Sequence, residues 1–240
     1  MITTRLVPEP IFILSCIRSG STLLRCMLGT HRRLYAPHEL HLTGLRVDLD
    51  SPYAATAMDA AGLDNEQLEY ILWDRVLHEL LCASGKDMIV EKTPGNAGAW
   101  RRLVACWPRA RFVFLLRDPA DILASAIAVR SGRDPIEVAE IVTDLVEGVQ
   151  EACMTLTGHE IHYEDLVAEP QAALAGLCEF LGVAYLPSML AYDVPSVLRP
   201  GIGDFTDKIR SGKVMAERIG SPPVTGRLAE YRRLWGYTDA

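Results

Sequence analysis

The chain has 240 residues, of which 49% are apolar, so it can bury a hydrophobic core without disulfide bonds. Its net charge of −7 argues against a basic face for nucleic acid and disfavours a heavily sulfated or otherwise polyanionic macromolecular substrate, although a local basic pocket remains compatible with it. The six cysteines are scattered, and none forms a C-x-x-C pair or lies near a histidine at zinc-ligand spacing, which indicates a reducing compartment.

The amino-terminal segment lacks the basic, apolar and small-residue pattern of a secretory signal peptide. No apolar run reaches the roughly 20 residues that a membrane-spanning helix needs. We therefore expect a cytoplasmic protein without membrane contact. No repeat or flexible linker divides the sequence, so we expect one domain over residues 1–240.

Apolar runs typical of buried strands alternate with segments of helical periodicity. The predicted strands cover residues 11–16, 88–92, 111–117 and 160–165. The first predicted helix follows the loop after the first strand and ends at residue 28, and another begins at Pro119. The other predicted helices cover about 65–83, 96–107, 135–156 and 170–182. This alternation predicts the α/β class, with a central, mostly parallel sheet flanked by helices. Residues 195–225 are rich in Gly, Pro and charge, which predicts a functional cover.

The first predicted strand leads into the segment Cys16-Ile-Arg-Ser-Gly-Ser-Thr-Leu-Leu-Arg25. Gly20 permits close backbone approach, and the following helix presents free N–H groups and its positive dipole end to an anion. A cation and three hydroxyl donors surround this glycine: Arg18, Ser19, Ser21 and Thr22. Taken alone, the loop could also be an ordinary cluster of helix-capping residues.

A second candidate anion site follows the predicted strand 111–117. Arg117-Asp118-Pro119 ends this strand, and Ser125 lies about two turns into the next helix. Ligands of α/β sheets bind at the carboxyl ends of the strands, and an arginine fork with a hydroxyl can hold a phosphate monoester. Taken alone, the motif could also be a common surface Arg–Asp pair.

Together the two motifs resemble those of the sulfotransferases that use 3′-phosphoadenosine 5′-phosphosulfate (PAPS). The resemblance implies a P-loop-like sulfotransferase fold in a single domain, with PAPS as co-substrate. It assigns the 5′-phosphosulfate to the first loop, namely Arg18, Ser19, Gly20, Ser21, Thr22 and Leu23. It assigns the 3′-phosphate to Arg117 and Ser125. We expect no metal, because fixed cations can balance the modest charge of a sulfuryl group.

The resemblance also suggests catalytic residues. Lys92 matches a family lysine that contacts the transferring group beside Arg18, although a solvated lysine is the common alternative. The cytosolic branch of the family has its catalytic histidine two positions later, where this chain has Pro94. Glu39 lies at the spacing of the glutamate base in tyrosylprotein and related bacterial sulfotransferases. His38 and His41 flank it, and either could take the proton instead.

Three further residues are candidates for contacts with the co-substrate PAPS. Tyr163 matches the family tyrosine that lies by the adenine, and it could equally be a core aromatic. Lys208 lies in a segment that resembles the carboxyl-terminal cover of bacterial sulfotransferases, including those of polyketide assembly lines. Arg218 lies in the run Arg218-Ile-Gly-Ser221, in which the basic residue is displaced from its position in the Ser-Ile-Gly-Arg-Gly run of that cover.

The resulting hypothesis is transfer of a sulfuryl group to a hydroxyl of a small-molecule or natural-product acceptor, with Glu39 as general base. A carrier-bound hydroxyacyl chain and a peptide tyrosine remain open as acceptors. A small-molecule kinase is one alternative, although the G-x-x-x-x-G-K-[ST] loop is missing. A non-catalytic nucleotide-binding module is the other. The sequence does not indicate an oligomeric state.

Overall fold

The computed structural model describes residues 4–192 and 223–237. Within them, one sheet contains β1 (Ile11–Ser15), β2 (Leu34–Tyr35), β3 (Met88–Glu91), β4 (Arg111–Leu116) and β5 (Gly158–His162). The strand order is β2-β3-β1-β4-β5, and each of these neighbours pairs in parallel. The predicted α/β class with a mostly parallel sheet is therefore confirmed.

Helices flank this sheet and connect its strands. They are α1 (Ser21–Gly29), α2 (Pro52–Ala60), α3 (Asn65–Ser84), α4 (Asn96–Cys106), α5 (Pro119–Val129), α6 (Pro135–Thr155), α7 (Tyr163–Ala168), α8 (Pro170–Leu181) and α9 (Gly226–Leu234). Side-chain caps explain several starts, because Asp118 and Asp134 each accept a backbone N–H two residues on and precede a proline. None of the helices in the described ranges is both long and apolar enough to cross a bilayer.

The last predicted strand was wrong at its carboxyl end. It was expected over residues 160–165, but β5 ends at His162 and the chain turns into α7 at Tyr163. The partner strand explains this, since the last pair of the β4–β5 ladder joins Leu116 to His162. Glu164 and Asp165 then lie in the first turn of α7, where negative charge favours a helix.

Three elements had no sequence signal. The strand β2 has only two residues, and α2 buries none of its side chains, so neither shows a period of burial. The helix α9 falls after the Gly- and Pro-rich segment and buries Leu228 alone along its length. A helix or strand shows an apolar period in the sequence only where one of its faces is buried.

The sheet separates two hydrophobic cores. In β1, every residue is buried, and the side chains alternate between the two faces. Phe12 and Leu14 pack in one core with Trp73 and Trp107, while Ile11 and Ile13 belong to the other core with α1 and α8 residues. A strand enclosed on both faces is rigid, so the loops at its carboxyl end have fixed starting points.

Candidate active site

Four strands end at the same edge of the sheet, and each is followed by predicted site residues. The loop containing Arg18 follows β1, Lys92 follows β3, Arg117 follows β4, and Tyr163 follows β5. Since these strands are parallel, their carboxyl ends lie together, which is where α/β sheets bind ligands.

The loop after β1 has the backbone of an anion cradle. Arg18 and Gly20 both adopt left-handed conformations, with φ of 62° and 84°. Gly20 is the N-cap of α1, and no side chain caps the helix, so the alternative of a cluster of capping side chains is wrong. A Cβ at Gly20 would lie 2.3 Å from the Tyr163 ring, so the close packing of loop and ring requires glycine.

Side chains of the two anion motifs interlock. Arg117 Nη1 donates to the carbonyl oxygen of Arg18 at 2.8 Å, and Arg18 Nε donates to Ser125 Oγ at 3.1 Å. The Arg18 side chain thus reaches from the first loop to Ser125 in α5. Arg117 is buried, and Asp118 pairs with Arg232 instead, so a surface Arg117–Asp118 pair is ruled out.

Tyr163 contacts both motifs. Its ring packs against Gly20, and the Arg117 guanidinium carbon lies 4.5 Å from the ring centroid in a cation–π arrangement. The ring is half-buried, so Tyr163 is neither a fully buried core aromatic nor an exposed one. It therefore fixes the spacing between the first loop and Arg117.

Two residues near the carboxyl terminus, Arg232 and Tyr237, bind side chains next to Arg117 and Tyr163, and the sequence analysis did not predict them. Arg232 makes two hydrogen bonds to the Asp118 carboxylate, at 2.8 and 3.1 Å. Tyr237 Oη donates to Glu164 Oε2 at 2.5 Å, and Glu164 Oε1 accepts the Asp118 N–H at 3.2 Å. These residues link α9 to the starts of α5 and α7, next to Arg117 and Tyr163.

In the first turn of α1, Thr22 contacts Lys92, which in turn pairs with Glu39. Lys92 Nζ forms an ion pair with Glu39 Oε1 and lies 3.4 Å from Thr22 Oγ1. The Lys92 side chain is 1% exposed, so the alternative of a solvated lysine is wrong. Burial lowers the pKa of Lys92, and the negative charge of Glu39 opposes that shift.

The two histidines beside Glu39 take different positions. His41 Nε2 lies 3.5 Å from Glu39 Oε2, and its side chain is 66% exposed. The His38 ring is exposed, and its Nδ1 is 2.9 Å from the backbone carbonyl of Glu39, to which it donates. Of the two, His41 is thus the one that contacts the Glu39 carboxylate. Lys208 and Arg218 lie outside the described residues.

Buried polar atoms mark both anion motifs. Ser19 Oγ and Arg117 Nε are buried and have no hydrogen-bond partner within the described part of the chain. Such donors are costly when unsatisfied, so their presence in two adjoining loops fits an anionic ligand with oxygens at both ends. Across residues 4–192 and 223–237, no group of His, Cys, Asp or Glu side chains is arranged to hold a metal ion.

Comparisons with known proteins place the chain in a family. It is 29% identical over 167 residues to the nodulation protein NoeE of Sinorhizobium fredii, covering 62% of this chain and 40% of that protein. It is 23% identical over 198 residues to protein-tyrosine sulfotransferase 1 of Danio rerio, covering 76% of this chain and 56% of that protein. The chain therefore spans only about half the length of these relatives.

A solved structure confirms the expected P-loop-like sulfotransferase fold. The sulfotransferase domain from the curacin biosynthetic pathway superposes with a TM-score of 0.68 and 26% identity, over 98% of this chain and 99% of that domain. The model of the sulfotransferase family matches residues 10–187, which include both anion motifs, Lys92 and Glu39. The chain belongs to the sulfotransferase family.

Proposed function

We propose that the chain transfers a sulfuryl group from PAPS to a hydroxyl of a small-molecule or natural-product acceptor. One observation carries this proposal: the loop after β1 and the first turn of α1 together touch two differently built sites. Thr22 meets the Lys92–Glu39 pair, and Arg18 meets Arg117 and Ser125. A nucleotide with anionic groups at both ends fits this arrangement, because each end finds cations and hydroxyl donors.

The residues can support an in-line transfer. The Glu39 carboxylate, which is paired with Lys92, takes the proton of the acceptor hydroxyl. The acceptor oxygen forms a bond to sulfur as the bond from sulfur to the 5′-phosphate oxygen breaks, which releases adenosine 3′,5′-bisphosphate. Lys92 and the N–H groups at the start of α1 stabilise the charge that develops on oxygen. His41 is the alternative base, since it contacts the Glu39 carboxylate.

The similar proteins bear on the acceptor class. The superposing curacin domain comes from a biosynthetic pathway and matches nearly the whole of this chain. The tyrosine sulfotransferase is less similar, with 23% identity over 76% of this chain. A natural-product hydroxyl, free or bound to a carrier, is therefore the acceptor that we propose, and a peptide tyrosine is the competitor.

An acceptor screen tests the proposal. Purified protein is incubated with labelled PAPS and three acceptor classes, namely free hydroxy compounds, a hydroxyacyl chain on a carrier protein and tyrosine peptides, with products read by mass spectrometry. We expect sulfation of one of the first two classes without added metal. Magnesium-dependent phosphorylation from ATP would instead identify a kinase. Donor binding without turnover on any class would identify a binding module.

A further inference from the structure

The segment that carries Glu39 has no regular secondary structure, yet it is anchored at both ends. Residues 36–41 lie between β2 and a short 3₁₀ turn. On the upstream side, Arg25 Nη1 donates to the carbonyl oxygens of Ala36 and Pro37 at 3.1 and 3.3 Å. Arg25 belongs to α1 and is 3% exposed, so a buried cation of the first helix holds this end of the segment.

The downstream anchor comes from the end of β3. Glu91 is fully buried, and its Oε1 accepts the Leu40 N–H at 3.3 Å and the Thr93 hydroxyl at 2.6 Å. Thr93 Oγ1 in turn accepts the His41 N–H at 3.1 Å. The amide of Asn96 donates to Glu91 Oε2. Two consecutive N–H groups after Glu39 are thus bound to one polar network.

The Glu91 carboxyl group accepts three hydrogen bonds in this network. The N–H groups of Leu40 and Asn96 can only donate to Glu91, whereas the Thr93 hydroxyl, which donates to Glu91 here, is able to accept as well. Burial raises the pKa of Glu91, and the hydrogen bonds from Thr93, Asn96 and Leu40 oppose that shift. Because the Thr93 hydroxyl donates to Glu91, its lone pair faces the His41 N–H.

The same short stretch of chain also carries Lys92. Glu91 and Thr93 are its neighbours in sequence, so the strand end that holds the Glu39 segment also presents the ammonium group that pairs with Glu39. Any shift of the segment changes the position of the Glu39 carboxylate relative to Lys92 and to Thr22 of the first loop. The geometry of the pair therefore depends on the network and not on the two side chains alone.

We infer that Thr93 and Glu91, with Arg25 upstream, are positioning residues for the general base Glu39. This inference rests on the proposed function, because it assigns these residues a task only if Glu39 accepts the proton. A base on an irregular segment gains its efficiency from being held in reach of the acceptor hydroxyl. A misplacement of about 1 Å can lower a rate on the order of 10²-fold.

A pair of substitutions at Thr93 tests the inference. Thr93→Val keeps the shape and removes the hydroxyl, whereas Thr93→Ser keeps the hydroxyl. In Thr93→Val we expect kcat to fall on the order of 10²-fold, with unchanged KM for PAPS and unchanged affinity for adenosine 3′,5′-bisphosphate. Hydrogen exchange of the Leu40 and His41 amides is expected to accelerate in the same variant. Thr93→Ser is expected to recover both turnover and amide protection.

Each contrary result has a defined meaning. Wild-type turnover in Thr93→Val would overturn the inference, and so would lost turnover with unchanged exchange in residues 36–41. Loss of nucleotide affinity together with turnover would also overturn it, since the damage would then extend beyond the base. Full turnover in Glu39→Gln would overturn the proposed base itself. Wild-type turnover in Thr93→Val beside an inactive Glu39→Gln would overturn this inference alone.

Discussion

Glu39→Gln is expected to lower turnover by roughly two to four orders of magnitude, the usual contribution of a general base. Glutamine has nearly the same shape and can still accept a hydrogen bond from Lys92, but it cannot take the acceptor proton. The affinity for adenosine 3′,5′-bisphosphate should stay within about threefold of wild type, because the nucleotide motifs are untouched. Steady-state kinetics and calorimetry measure the two effects separately.

Two matched variants serve as controls for this prediction. Glu140→Gln makes the same chemical change on the exposed face of α6 and is expected to leave turnover unchanged. His41→Asn tests the competing base, which lies 3.5 Å from the Glu39 carboxylate. Full turnover in Glu39→Gln with an inactive His41→Asn would transfer the role of base to His41.

Lys92→Met is expected to lower turnover on the order of 10²- to 10³-fold, as observed when one donor of a preorganised charge-stabilising site is removed. Lys92 is buried, pairs with Glu39 and reaches Thr22, so no other described side chain makes the same set of contacts. Methionine keeps most of the apolar stem and removes the charge. Thermal unfolding of the variant separates lost chemistry from lost stability, because the substitution leaves Glu39 without its ion-pair partner.

The double variant Lys92→Met with Glu39→Gln decides whether the two residues act as a unit. If they do, the turnover of the double variant should be little lower than that of the less active single variant, because each substitution already breaks the shared arrangement. Fully additive losses in the logarithm of the rate would show independent action. That result would contradict the contact between Lys92 and Glu39 as the basis of the site.

The fold was readable because its signals are local. The run at residues 111–117 is short, has five apolar residues between two arginines and leads into a helix start at Asp118-Pro119, so burial on both faces shows in the sequence itself. The boundary at Tyr163 was misjudged because a strand stops where its partner stops, and that depends on β4. The unburied helix α2 carries no period at all, which is why residues 52–60 gave no prediction.

The candidate site likewise has parts that could be predicted from the sequence and parts that could not. The first loop and Arg117 could be predicted because each motif is contiguous and its chemistry is visible in a few residues. The network around Glu91 could not be predicted, since it holds the N–H groups of Leu40 and His41, which lie more than 50 positions away in the chain. The Arg232–Asp118 pair spans 114 positions and also carries no motif. Long-range contacts between single polar residues leave no pattern in one sequence.

Isothermal titration with adenosine 3′,5′-bisphosphate and adenosine 5′-monophosphate tests most directly whether two adjoining sites hold one doubly anionic nucleotide. The wild-type protein should prefer the bisphosphate by roughly 10- to 100-fold, the value of one or two charge-assisted hydrogen bonds. Arg117→Ala should lose most of this preference, with a smaller loss of affinity for the monophosphate because Arg117 also holds the Arg18 carbonyl. No heat with the bisphosphate, or equal affinities of the wild-type protein for the two nucleotides, would contradict the two-site account.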